Sequence, residues 1–228
     1  GSEMCIRDSA PAVVLAHGFG GSKASVATDA EYLADRGFVV LAYTARGFGG
    51  STGTISMNSP DFEIADASAV IDYLATLDTV TQDGASDPRV GFAGGSYGGA
   101  LSLMAAGYDN RVNAVSADIT WNDLQTSLFG QSVRNPPASG GVGVFKQLWS
   151  GLFFSAGLVT QDGQVTDCGR FAPDWCAAYS TAAADGVLTD KARELMAASS
   201  PASITDRIAV PTLLGGGQSD SLFPLAQT

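Results

Sequence analysis

Short apolar runs recur along the chain, separated by stretches in which apolar residues return every third or fourth position. Ala12-Val13-Val14-Leu15-Ala16, Phe38-Val39-Val40-Leu41-Ala42-Tyr43, Val90-Gly91-Phe92-Ala93 and residues 112–119 read as strands, and the first has the continuous apolar character of a strand buried in a parallel sheet. Between them, Ser25 to Arg36 reads as a helix closed by Gly37. Ser59-Pro60-Asp61 offers a capping serine, a proline at the first helical position and acids in the first turn, after which Ile64, Ala67, Ile71 and Leu74 form one buried stripe. Val210-Pro211-Thr212-Leu213-Leu214-Gly215 is the last strand. Strands alternating with helices predict an α/β fold, a mostly parallel sheet with helices on both faces. The rhythm breaks between Ile119 and Ile208, where about eighty residues exceed a plain crossover helix. That stretch is rich in large apolar residues, including Leu124, Phe129, Phe145, Trp149 and Phe153, and is punctuated by Asn135-Pro136-Pro137 and Ser139-Gly140-Gly141.

Candidate chemistry lies where strands end. The run at 90–93 leads through Gly94-Gly95-Ser96-Tyr97-Gly98-Gly99 into the small-residue helix 100–106. Strand, sharp turn and helix form the setting of a nucleophile elbow, in which a strained backbone presents the serine and flanking glycines let strand and helix approach closely. Ser96 is therefore the candidate nucleophile; the alternative is a glycine turn with an ordinary serine. Upstream, the strand at 12–16 runs into His17-Gly18-Phe19-Gly20-Gly21-Ser22, the expected position of an oxyanion loop. Preorganised N–H donors of that kind lower the barrier to acyl transfer by about 3 kcal/mol or more.

Together these motifs resemble the α/β-hydrolase superfamily, and the Ser-Tyr-Gly-Gly elbow is similar to those of the Xaa-Pro dipeptidyl-peptidase, cocaine-esterase and prolyl-oligopeptidase branches. The resemblance runs from about residue 11 to the end. It takes in the run from Tyr43 to Ser51, similar to the superfamily's Arg-Gly-x-Gly-x-Ser loop, and the run from Gly217 to Pro224, similar to its acid loop. It implies Ser96 as nucleophile, Asp220 as triad acid and the backbone N–H groups of Phe19 and Tyr97 as oxyanion donors. It also implies a core of residues 10–120 and 205–228, a helical cap inserted at 121–204, and residues 1–9 as a leader outside the fold. Some superfamily members carry the acid on the earlier strand, which makes Asp118 or Asp123 the alternative; the Gly-x-x-Asp-x-x-x-Pro match favours Asp220. Trp121, at the carboxyl end of a strand, is expected either to touch substrate or to pack at the hinge between sheet and lid. His17 is expected beside the substrate, ordering the oxyanion loop by hydrogen bonds rather than acting as a base. Arg46 is expected to tie down its own glycine-rich loop through a charge pair. Tyr43 takes no oxyanion role, because the tyrosine that does so in the cocaine-esterase branch lies in the first loop, where this chain has Phe19.

The resemblance further implies a catalytic histidine one helix and one strand beyond Asp220. The chain contains one histidine, His17, and ends eight residues after that aspartate. The expectation is a sequence clipped at both ends, lacking two leading antiparallel strands and the last helix and strand, with the base supplied by a longer gene. An open sheet edge would then favour self-association.

The 228 residues, 45% of them hydrophobic, suit one globular domain, and no apolar run is long enough to cross a membrane. A net charge of -11 argues against nucleic acid or anionic membrane surfaces as partners and describes a solvated acidic exterior. Of three cysteines, Cys5 lies in the leader, while Cys168 and Cys176 are spaced for a local disulfide, with two free buried thiols as the alternative. A disulfide would indicate an oxidising, secreted setting. No metal site or cofactor is expected. The expected activity is hydrolysis of a carboxylic ester, or less readily an amide or peptide, through an acyl-enzyme on Ser96. Relatives with peptidase activity carry extra domains that this length cannot hold, and those with dehalogenase or epoxide hydrolase chemistry place aspartate at the elbow. The alternative is an inactive scaffold that binds a small apolar ligand or a protein partner.

Overall fold

The computed structural model describes residues 9–130, 143–160 and 162–228. The expected turns at Asn135-Pro136-Pro137 and Ser139-Gly140-Gly141, and the leader up to Asp8 with Cys5, lie outside the described residues. In chain order the strands are β1 (Ala12–Ala16), β2 (Val39–Ala42), the short β3 (Gln82–Gly84) and β4 (Asp87–Pro88), β5 (Val90–Gly95), β6 (Val112–Asp118) and β7 (Thr212–Gly215). The central sheet has the order β2-β1-β5-β6-β7 with every neighbouring pair parallel, and β3 with β4 makes a separate antiparallel ribbon. Its helices are α1 (Ala27–Ala34), α2 (Ala65–Ala75), α3 (Tyr97–Tyr108), α4 (Leu124–Leu128), α5 (Gln147–Gly157), α6 (Pro173–Asp185) and α7 (Asp190–Ala198).

Element ends differ from the sequence reading for local reasons. The helix expected from Ser25 begins instead with a 3-10 turn, Lys23–Val26, capped reciprocally by Ser22 and Ser25, and α1 follows only at Ala27. Ser59 does cap the next helix, its hydroxyl accepting from Asp61 N–H, but the first turn, Pro60–Ile64, is wound as a π-helix before α2 begins. The expected stripe is buried: Ile64, Ala67, Ile71 and Leu74 are all 2% exposed or less. With Val14, Phe92, Leu101 and Met104 they form the core between the sheet and helices α2 and α3. Burying each of the larger side chains stabilises the fold by about 1.5–3 kcal/mol.

A second apolar cluster lies at the carboxyl ends of the strands. It joins Tyr97, Trp121, Leu222 and Phe223 to Phe154, Phe171 and Trp175 from the segment containing α5 and α6. Two bonds anchor the ends of that segment to each other: Trp121 Nε1 donates to Ser199 O at 2.8 Å, and Leu124 N–H donates to Ser200 Oγ at 2.9 Å. Cys168 and Cys176 form a disulfide, with Cα atoms 5.4 Å apart, that joins α6 to the chain before it. Between the two cysteines, Arg170 reaches back to the carbonyls of Gly47 and Gly49 at 3.3 and 3.1 Å, and Ile55 exchanges backbone hydrogen bonds with Arg170 and Ala172. At the sheet's far edge, β7 leaves Leu213 67% and Leu214 43% exposed.

Candidate active site

Ser96 sits between β5 and α3 with φ 55° and ψ −120°, a strained conformation for a residue with a side chain. Two glycines make that turn sterically feasible. A Cβ on Gly94 would stand 2.6 Å from Ala16 O, and one on Gly98 only 2.1 Å from the same atom. Bonds from the end of β6 and the residues after it hold the turn: Ser96 N–H donates to Asp118 O at 2.9 Å, and the Thr120 hydroxyl, Oγ1, donates to Ser96 O at 2.6 Å. Gly18 of the loop after β1 approaches Ser96 from the other side: its Cβ, if present, would lie 3.8 Å from Ser96 Cβ. The N–H groups of Phe19 and Tyr97 have no acceptor among the described residues.

A buried acid that the sequence reading missed braces the elbow from below. Glu63, 1% exposed, accepts from Ser56 N–H at 2.6 Å and Ser59 N–H at 3.0 Å, and Tyr97 OH donates to it at 3.2 Å. Asn58, in the turn between those serines, donates from Nδ2 to Tyr97 O at 2.9 Å. Met57 and Asn58 both have positive φ, so this turn is strained and held by Glu63 and Tyr97. Burial pushes the Glu63 carboxyl above the usual carboxylate range, against the lowering pull of its hydrogen bonds. Burial, with the Glu63 charge behind it, likewise pushes the Tyr97 phenol up. Tyr43 OH, also buried, makes no hydrogen bond, and burial followed by the charges of Asp66 and Glu63 raises its pKa. In sequence, Glu63 looks like an ordinary acid in the first turn of a helix; only the fold brings it to Tyr97.

Ser96 opens into a cavity of about 100 Å³ lined by Phe19, Tyr97, Trp121, Phe153, Tyr179 and Phe223. Trp121 combines the two expected positions: it is 2% exposed, bonded to Ser199 at the hinge, and part of the cavity wall. Asp220 lies in the loop after β7, its Oδ1 accepting from the N–H groups of Leu222 and Phe223, both at 2.8 Å. Those two residues line the cavity with Ser96, which brings the loop that carries Asp220 to its mouth. Lys146 donates to Ser221 O and Leu222 O at 2.6 and 2.9 Å, and Trp149 Nε1 donates to Ser221 Oγ at 3.2 Å, so the segment before and within α5 clasps the same loop. Burial lowers the Lys146 pKa, and the nearby Asp220 charge partly restores it. The alternative acids have other positions. Asp118 is exposed and lies over Gly215 of β7, while Asp123 caps α4 by accepting from Gln125 and Thr126 N–H.

One expectation needs correction. His17, expected beside the substrate, is outside the cavity wall: it is 3% exposed, its Nδ1–H donates to Gly18 O at 2.8 Å and its Nε2 accepts from Ala45 N–H at 3.0 Å. An N–H donor facing Nε2 requires the neutral Nδ1–H tautomer, and burial lowers the ring's pKa against the raising effect of the Gly18 bond. Arg46 makes the charge pair expected of it: it grips Asp66 of α2 through two bonds of 2.6 Å and so ties its loop to that helix, while Arg170 holds the loop's carbonyls.

A family model described as X-Pro dipeptidyl-peptidase (S15 family) matches residues 7–228. Among curated relatives, the uncharacterized protein YcjY of Escherichia coli (strain K12) is 40% identical over 106 residues, covering 46% of this chain and 33% of that protein. The quorum-quenching protein AidA of Acinetobacter baumannii is 34% identical over 119 residues, 50% of this chain and 36% of its own length. These matches span about a third of each relative's length. Est1E from Butyrivibrio proteoclasticus, solved with ferulic acid, superposes with a TM-score of 0.59 at 17% identity, covering 96% of this chain and 73% of that one. The 2,6-dihydroxy-pseudo-oxynicotine hydrolase superposes with a TM-score of 0.58 at 20% identity, covering 96% and 48%. At such identities these two structures establish the fold. With a parallel sheet, a strained serine between strand and helix, and a family model that spans all but the first six residues, the chain belongs to the X-Pro dipeptidyl-peptidase (S15) family of the α/β-hydrolase superfamily.

Proposed function

We propose that this chain carries the nucleophile, acid and oxyanion donors of a serine hydrolase that cleaves carboxylic esters, and less readily amides or peptides. The observation that carries the proposal is Ser96 held at positive φ on the wall of an apolar cavity. Attack of Ser96 Oγ on the ester carbonyl forms a tetrahedral oxyanion facing the N–H groups of Phe19 and Tyr97, and its collapse expels the alcohol and leaves an acyl-enzyme that water then hydrolyses. Asp220 acts as the acid that orients and stabilises the base. That base is a histidine outside these 228 residues, because both ring nitrogens of His17 are already engaged. Ester rather than Xaa-Pro peptide is favoured because none of the described residues lining the cavity is an aspartate or glutamate that could hold a substrate's ammonium group. The segment 121–204 serves as the lid, and the disulfide fits a secreted protein.

The second reading, a scaffold that binds a small apolar ligand without turnover, draws on the same engagement of His17. Labelling with a fluorophosphonate and assaying a p-nitrophenyl ester, on this chain and on a longer one containing a downstream histidine, separates the two. Labelling of Ser96 with turnover in the longer chain, both abolished by Ser96→Ala, is the expected result. An unlabelled Ser96 in both lengths would favour the scaffold.

A further inference from the structure

The carbonyl of Ser96 takes one more hydrogen bond than the start of a helix supplies. As α3 begins, the N–H groups of Gly99 and Ala100 donate to it at 3.0 and 3.2 Å, and Thr120 Oγ1 donates to it from outside the helix at 2.6 Å, the shortest of the three. Both neighbouring elements make room for that third donor. On α3, a Cβ on Gly99 would stand 2.9 Å from Thr120 Cβ, so glycine there admits the threonine. Beyond β6, Ile119 has φ 43°, where a β-branched residue is an outlier, and it is 48% exposed, so its own packing does not account for the strain. The residues on either side of it do. Asp118 O accepts the Ser96 N–H at 2.9 Å while Thr120 reaches the Ser96 carbonyl, so the bend at Ile119 lets its two neighbours grip both ends of the serine backbone.

A peptide unit is planar, with its C=O and N–H pointing in opposite directions. The carbonyl of Ser96 and the N–H of Tyr97 belong to one such unit, so whatever fixes the oxygen also aims the hydrogen. We propose that Thr120 is a positioning residue for the oxyanion hole: its hydroxyl holds the Ser96–Tyr97 peptide so that the Tyr97 N–H faces the developing oxyanion, and the strained Ile119 supplies the bend that brings it there. The proposal rests on the reading of Ser96 as nucleophile and of the Tyr97 N–H as donor. A hydrogen bond on the carbonyl also polarises the peptide and strengthens its N–H as a donor. Thr120 itself is 3% exposed and is not among the residues lining the cavity, so it acts through that N–H alone. Its effect therefore belongs to the transition state, when charge gathers on the carbonyl oxygen, and leaves ground-state binding unaltered.

Thr120→Ala and Thr120→Ser both lose the methyl group and differ only in the hydroxyl, which makes them the test. In the longer chain containing the downstream histidine, assayed on a p-nitrophenyl ester, the alanine variant is expected to lose about tenfold in kcat, the range of one hydrogen bond, with KM unchanged. The serine variant is expected to recover most of that loss. Fluorophosphonate labelling of Ser96 should slow and recover in parallel. In the 228-residue chain, where no turnover is needed, the Tyr97 amide nitrogen is expected to move upfield in the alanine variant and return in the serine variant, because the bond on Ser96 O draws electron density from it. Thr120→Cys, a weak donor of similar size, replaces the alanine variant if that one does not fold. Equal loss in both variants, a rise in KM without a fall in kcat, or an unmoved Tyr97 signal would overturn the inference. Failure of the hydrolase reading looks different. Ser96 then resists fluorophosphonate in the unsubstituted chain at both lengths, which removes the oxyanion role with it, whereas labelling that ignores the hydroxyl at position 120 overturns this inference alone.

Discussion

Gly98 has less room for a side chain than any other glycine of the elbow. A methyl group there would lie 2.1 Å from Ala16 O and 2.5 Å from Ala16 C, both backbone atoms of the neighbouring strand β1. Gly98→Ala is therefore expected to lower stability by about 3 kcal/mol or more, read as a shift of the urea midpoint; an unchanged midpoint would mean that α3 can slide from β1. His17 makes a different prediction. Its folded pKa is depressed below the ordinary 6.5 by burial, so the unfolded chain takes up the proton first as pH falls. The stability from the neutral ring is complete above about pH 6.5 and is lost as pH falls through the depressed folded value. Urea titrations from pH 7.5 to 5 should show the advantage of the wild type over His17→Gln shrinking toward acid, whatever the offset between them at neutral pH. The elbow was legible in sequence because its constraint is local, a serine flanked by glycines within five residues. The brace beneath it was not, since Glu63 and Tyr97 lie 34 residues apart and meet only where the turn at Pro60–Ile64 packs on α3.

Among elements, the disulfide-bearing segment acts at a distance from its own bond. Cys168 and Cys176 enclose Arg170 and Ala172, and these hold the loop after β2 through the carbonyls of Gly47 and Gly49 and the backbone of Ile55. Reduction, or Cys168→Ser with Cys176→Ser, is expected to cost about 2–3 kcal/mol from the loop length alone. It should also expose residues 46–53 to proteolysis before the sheet unfolds; cleavage first appearing within the core would contradict this coupling. The strands were legible from their apolar runs, and α2 from its cap and stripe. Their limits were not, because the reciprocal Ser22 and Ser25 cap and the π-wound turn at Pro60–Ile64 depend on hydrogen bonds that residue patterns do not encode. Within residues 121–204 the boundary signals were present, with Pro173 opening α6 and left-handed Gly186 closing it, but nothing local tells which faces of these helices wall a cavity.

At the scale of the whole molecule, the sheet is unevenly covered. Among the described residues β7 pairs with β6 alone and leaves Leu213 and Leu214 exposed, and the chain carries a net charge of -11. We expect a second copy to pair along β7, opposed by charge repulsion, so that sedimentation shows association rising as salt screens that repulsion. Leu213→Lys should reduce it, and a monomer at every salt concentration would rule the pairing out. The parallel architecture was readable from the alternation of strand and helix; the seating of α5 and α6 against the strand ends was not, because it rests on contacts between residues far apart in the chain. That seating has an optical consequence. Trp121 and Trp175 stand in the cavity wall, while Trp149, the third tryptophan, stacks on Phe153 outside it. The emission of the unlabelled protein is thus a built-in gauge of whether the chamber is empty or filled, usable before any chromogenic substrate has been found.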